Sequence, residues 1–429
     1  MNERVEMKNK IIILVLALCL GLGACALSPD EFAAIQSEAT SSSEPTANFE
    51  ETPRRPTLSP EVLSPSPTTE RSAELGEEAV SKESQAIANS AINPLSGLPV
   101  SNPENLLLPP ALVSITTFPP NARPQAGLSY SPMVYELYIG KGMTRYLAVF
   151  YGDYPQAAAP DPNAGLPQAT IGPIRSGRLT YEHLRLLFNG FIVMASASSN
   201  VSSEMRDFVN VYGDDQSDPN SAMIPVEELE TIARETDTKF DPAALDVMRF
   251  NAQAPEGGKL AKSLWIIYSF KNQVFWRYNR ADGSYHRWQD NADGATFIEA
   301  TDRLTGEPLT YENVVVLFAE HRVVNGNLRD VNLLYVERGK ALLFRDEQMY
   351  EIYWTTASEE YEQTTGKLRP IRFTDAQGDP FPLKPGHTWI ALVPRGDVYW
   401  ETVDSEIYNR LMSGRSKGSG FWALDFYLP

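Results

Sequence analysis

Over most of the chain, apolar residues fall into short runs separated by turn-forming residues. Ala111–Thr117 and Gly142–Phe150 are dense in β-branched and aromatic residues. Val134-Tyr135-Glu136 and Phe191–Ala195 are shorter runs of the same kind, and all four predict strands. Tyr181–Phe188 and Val226–Arg234 space their apolar residues three and four apart, which predicts helices. Beyond residue 260 the pattern turns almost wholly to strands. Ser263–Phe270, Val274–Tyr278 and Tyr285–Trp288 are joined at Lys271-Asn272 and Asp282-Gly283, which predicts hairpins. Val314–Phe318, Val331–Val336, Ala341–Phe344 and Trp389–Val393 predict further strands. No repeat of fixed period interrupts this order. The expectation is an α+β fold: a mixed α/β N-terminal domain at 92–255, a mostly antiparallel β C-terminal domain at 256–398, and an extension at 399–429.

The first 91 residues follow different rules. Arg4, Lys8 and Lys10 precede an apolar run from Ile11 to Leu22. That run is shorter than the roughly 20 residues a membrane span needs and has the form of a signal-peptide core. It ends in Leu22-Gly23-Ala24-Cys25, a lipobox-like sequence in which small residues admit a peptidase and the Cys25 thiol accepts lipid. An uncleaved anchor is the alternative, and either one tethers the chain to the cell membrane at its extracytoplasmic face. Residues 26–91 are rich in Ser, Thr, Pro and Glu and hold only Phe32 and Phe49 as aromatics. Such a segment buries too little to offset the entropy of ordering, so a disordered tether is expected, with an r.m.s. reach of about 45 Å.

The formal charge of the 429-residue chain is −18, which argues against nucleic acid as a partner. The only cysteines are Cys19 and Cys25, so the region after residue 91 has no disulfide, thiolate catalysis or Cys-ligated metal. His183, His286, His321 and His387 are widely spaced and lack metal-ligand spacing. No metal and no cofactor is expected.

Three stretches are distinctive: Arg123-Pro124-Gln125-Ala126-Gly127-Leu128-Ser129, Thr144-Arg145-Tyr146-Leu147-Ala148-Val149-Phe150, and Ile171-Gly172-Pro173-Ile174-Arg175-Ser176-Gly177-Arg178. Their order and spacing, with Asn313-Val314-Val315-Val316 and the Leu383-to-Trp389 stretch, resemble the YerB-like family of bacterial lipoproteins over roughly residues 92–398. That family has no established activity. The resemblance implies an architecture and an envelope location, and no reaction.

The candidate site is Arg145, Arg175, Ser176 and Arg178, with Glu136 near them in sequence. Guanidinium forks and free amides at a helix start can hold a phosphate or carboxylate, and Gly172 and Gly177 would let the backbone approach it. Two uses compete. One is a non-catalytic grip on an anionic or glycan cell-wall polymer or an envelope protein. The other is structural: Arg175 and Arg178 pair with Glu136 and Glu182 and cap carbonyls, fixing the loop. A third reading is an envelope enzyme with Glu136 as acid or base and the arginines stabilising charge. The Met194–Asn200 stretch follows a strand, where α/β proteins often bind ligands. Asp214, Asp215 and Asp218 read as a solvated turn. All seven tryptophans follow residue 260, and Trp276 and Trp288 are the best candidates for an exposed glycan platform.

Overall fold

The computed structural model describes residues 90–155, 169–215, 218, 220–236, 238, 240–325, 328–396, 398–403 and 416–426. Cys25, the signal segment and the tether up to residue 89 lie outside them. Among the described residues no helix is long and apolar enough to cross a membrane.

Strands from both halves of the chain assemble into one twelve-stranded sheet. Its main path runs Arg372–Thr374, Gln348–Thr355, Gly339–Arg345, Asn313–Asn325, Thr388–Pro394, Met133–Gly140, Met143–Phe150, Ala111–Thr116, Phe191–Met194 and Phe208–Asn210. The join between halves is a parallel pairing of Thr388–Pro394 with Met133–Gly140, with Trp389 opposite Val134 and Ala391 opposite Glu136. Sheet hydrogen bonding therefore passes through the boundary drawn at 255/256. The protein is mostly β with few helices, Leu179–Phe188 and Val226–Glu235 being the longest described.

A seven-stranded sheet packs on one face of the first. It runs Phe297–Glu299, Ser284–Asp290, Asn272–Asn279, Ser263–Ser269, Phe421–Asp425 and Val398–Thr402. Its last two strands come from the C-terminal extension, and Phe421–Asp425 lies parallel to Ser263–Ser269. The extension is thus part of the sheet. Both strands are short apolar runs, Val398-Tyr399-Trp400 and Phe421-Trp422-Ala423-Leu424, to which the sequence reading assigned no element.

Side-chain alternation sorts the large sheet into two faces. Val134, Tyr146, Ala148, Trp389 and Ala391 point toward the second sheet and pack with Leu264, Ile266, Val274 and Trp276. Met133, Tyr135, Leu137, Leu147 and Val149 point the other way, onto Tyr181, Leu184, Leu187 and Phe188 of the Leu179–Phe188 helix. Trp276 is fully buried in the inter-sheet core, which removes it as a glycan platform. It lies in register with Leu264 on a strand whose alternate residues face inward. Trp288 packs with Trp265 and Trp400 on the outer face of the second sheet.

Among the described residues, the inter-sheet core holds one buried ion pair. Glu136 and Arg287 are essentially without solvent exposure, and Arg287 Nη2 lies 3.4 Å from Glu136 Oε2. Thr144 Oγ1 donates to Glu136 Oε1 at 2.8 Å and Trp389 Nε1 donates to Oε2 at 3.1 Å. The Arg287 guanidinium lies 4.7 Å from the Trp389 ring centre, 5.2 Å from Tyr146 and 5.7 Å from Trp276. Burial opposes its charge, and Tyr146 and Glu136 more than offset that, holding its pKa above the ordinary value. Removing one member of such a pair leaves the other charged and unpaired at a cost of about 3–5 kcal/mol. Glu136→Gln and Arg287→Met, each measured by chemical denaturation, should each lose stability on that scale. The double variant should lose clearly less than the sum of the two, and strict additivity would contradict the pairing.

Candidate functional site

The Ile171–Arg178 stretch threads between two parallel strands as they diverge. Ala111–Thr116 pairs with Phe191–Met194 only over Ala111–Val113. Beyond that point the stretch enters the gap. The Arg175 amide donates to the Ser114 carbonyl at 3.0 Å, and the Arg175 carbonyl accepts from the Ala195 amide at 3.0 Å. The Thr116 amide donates to the Pro173 carbonyl at 2.9 Å, and the Gly177 amide to the Ser196 carbonyl at 2.9 Å. The arginines therefore sit at the carboxyl ends of parallel strands, where open α/β sheets form ligand crevices. The Met194–Asn200 stretch runs beside it, bonded through Ala195 and Ser196.

Three guanidiniums converge here. Arg145 reaches in from the neighbouring Met143–Phe150 strand and donates from Nη1 to the Ser176 carbonyl at 2.7 Å. It is nine-tenths buried, and its Nε has no partner among the described residues. Arg178 is the N-cap of the Leu179–Phe188 helix. Its side chain makes no capping bond, its Nη1 donates to the Gly177 carbonyl at 3.2 Å, and its Nε is likewise buried without a described partner. Arg175 differs: Nη2 donates to Asn220 Oδ1 at 2.9 Å, and Asp218 supports its charge. The Ser176 hydroxyl is partly exposed and makes no hydrogen bond to a described residue.

The electrostatics follow from this geometry. Burial, then the charges of Arg178 and Arg175, push Arg145 down to about 9, with Tyr181 opposing. Burial lowers Arg178 as well. Among the described residues no carboxylate lies within ion-pair distance of Arg145 or Arg178. The helix start adds to the positive potential, because first-turn amides have no intrahelical acceptor and the dipole favours an anion there.

Glu136 must be withdrawn from the site. It pairs in register with Tyr146, whereas Arg145 pairs with Leu137 and Thr116, so Glu136 and Arg145 lie on opposite faces of the sheet. With Glu136 buried against Arg287, the enzyme reading built on it fails. Of the internal reading, the carboxylate pairing fails, since Glu182 is taken by Arg185 at 2.6 Å, whereas the carbonyl capping is present: Arg145 and Arg178 donate to the Ser176 and Gly177 carbonyls and help fix the loop. The glycines also have another purpose. A side chain on Gly177 would strike Met194 and Met205, and one on Gly172, at φ +140°, would meet the Ile174 amide at 2.9 Å, so packing requires both. His183 is spent on the Val331 carbonyl at 3.0 Å. Grooves of about 590 and 470 Å³ lie elsewhere. At their linings, Glu230 is paired with Arg234 and Arg369 with Glu359.

Arg287 is the residue that sequence reasoning missed. The signal was the alternation Tyr285-His286-Arg287-Trp288-Gln289, which puts Arg287 in phase with Tyr285 and the core. The Arg123–Ser129 loop serves the same interface. Arg123 Nη1 donates to the Asp290 carbonyl at 2.6 Å, and the Gly127 and Ser129 amides donate to the fully buried Asp302 carboxylate at 2.8 and 2.7 Å.

Comparison with known proteins gives this architecture its class. Residues 95–239 match the family model "Protein of unknown function (DUF3048) N-terminal domain", and residues 265–390 match the "Protein of unknown function (DUF3048) C-terminal domain", together more than half of the chain. The chain belongs to this YerB-like family. A Bacillus subtilis (strain 168) protein named "Putative lipoprotein YerB" is 26% identical over 325 residues, covering 71% of this chain and 87% of its own length. The crystal structure of YerB protein from Bacillus subtilis superposes with a TM-score of 0.54 at 24% identity, covering 71% of this chain and 96% of that one, and shares the fold.

The electrostatic description is open to direct measurement. Followed by carbon NMR at the guanidinium, Arg145 should titrate near pH 9, and Arg178→Gln should move that midpoint upward by removing a repelling charge. A midpoint at the ordinary arginine value that ignores Arg178 would show that the guanidiniums are not close.

Proposed function

We propose that this protein is a lipid-anchored, non-catalytic binding protein of the cell envelope, which grips an anionic group at Arg145, Arg175, Ser176 and Arg178. The anchor is Cys25. The support for it is the Leu22-Gly23-Ala24-Cys25 sequence and the relative named as a lipoprotein. The ligand group is carried by a cell-wall polymer or by an acidic envelope protein within reach of the tether. The observation that supports the site is the absence, among the described residues, of any carboxylate paired with Arg145 or Arg178 in a strongly acidic chain. Burying two cations without counter-charge costs free energy that a bound anion returns.

The test uses the full chain in detergent with purified anionic wall polymer. Arg175→Ala combined with Arg178→Ala should weaken co-sedimentation at least tenfold while circular dichroism stays unchanged. Retained binding by a folded double variant would sink the proposal.

A further inference from the structure

The charge count at the site narrows the ligand. Arg175 already has Asn220 as a partner and Asp218 nearby. Among the described residues, the guanidiniums of Arg145 and Arg178 have carbonyl acceptors alone. Two positive charges are therefore left without a described counter-charge, and the buried Nε of each lacks an acceptor. The helix start adds first-turn amides at Leu179 and Thr180 that no intrahelical carbonyl can take. The Ser176 hydroxyl adds one further donor.

A carboxylate or a phosphodiester brings one negative charge and would leave one guanidinium uncompensated. A phosphate monoester brings close to two charges above its second pKa of about 6, with three acceptor oxygens for several converging donors. We infer that the Arg145–Arg175–Arg178 cluster selects terminal phosphate monoesters in their dianionic form over phosphodiesters and carboxylates. This selectivity rests on the anion site of the proposed function and sharpens it.

The titratable groups at the cluster are Arg145, Arg175 and Arg178 themselves, with Tyr181 beside Arg145 and Arg178, and Asp218 beside Arg175. Isothermal titration of the full chain in detergent, from about pH 5 to about pH 8, brackets the second phosphate pKa and decides the matter. The probes are phenyl phosphate, dimethyl phosphate and acetate. Phenyl phosphate should lose about tenfold in affinity as the pH falls from about 8 to about 5 and its dianion is protonated. Dimethyl phosphate carries one charge throughout and controls for titration of the protein. It should bind at least tenfold more weakly at the alkaline end, with little pH dependence, and acetate likewise. In Arg178→Gln the preference for phenyl phosphate should shrink toward unity. Equal, pH-independent binding of all three probes, abolished in Arg145→Gln with Arg178→Gln, overturns the dianion preference and leaves the anion site standing. No binding of any probe, or binding that the double variant retains, overturns the site itself.

Discussion

The Glu136–Arg287 pair is the interaction on which the rest of the arrangement turns. Two charges are taken fully out of water between the sheets, a step that costs several kcal/mol per ion unless hydrogen bonds and attraction offset it. Here Thr144 and Trp389 complete the carboxylate, and three aromatic faces surround the guanidinium. Glu136 comes from the segment matched by the N-terminal family model and Arg287 from the segment matched by the C-terminal one. The pair therefore acts as a lock between halves that already share a sheet. Asp302, which takes two amides of the Arg123–Ser129 loop, is a second lock at the same interface.

The pleat of the sheet then has an electrostatic consequence. Glu136 and Arg145 sit on adjacent antiparallel strands only one register position apart, yet alternation sends them to opposite faces. The nearest carboxylate in the sheet is thus committed inward, and Glu182 is committed to Arg185. Arg145 and Arg178 are left positive on the helix side, beside a helix start that repels cations. A structural need on one face of the sheet leaves an unneutralised charge on the other.

Much of this was legible in the sequence, and the failures have physical causes. Strands with dense β-branched runs, such as Gly142–Phe150 and Trp389–Val393, were found almost to their ends, because continuous apolar residues need burial on both faces. The helices at Leu179–Phe188 and Val226–Glu235 were found from their spacing. The arginine cluster was found from its residue types. Its partners were not: proximity in sequence suggested Glu136, whereas strand register decides which face a side chain occupies, and register depends on pairings distant along the chain, such as Ala391 with Glu136. Burial of Trp276 was concealed for the same reason. The parallel join between Thr388–Pro394 and Met133–Gly140 has no local signature at all.

The central claim is that Arg145 and Arg178, which have no carboxylate partner among the described residues, meet an anion, while Glu136 is locked to Arg287 on the other face. The most direct measurement is nitrogen NMR of the arginine Nε–H groups during titration with phosphate. Saturable shifts are predicted at Arg145 and Arg178 while Arg287, sealed with Glu136 on the other face, stays fixed. Unmoved Arg145 and Arg178 resonances, or equal shifts at Arg287, would contradict the claim.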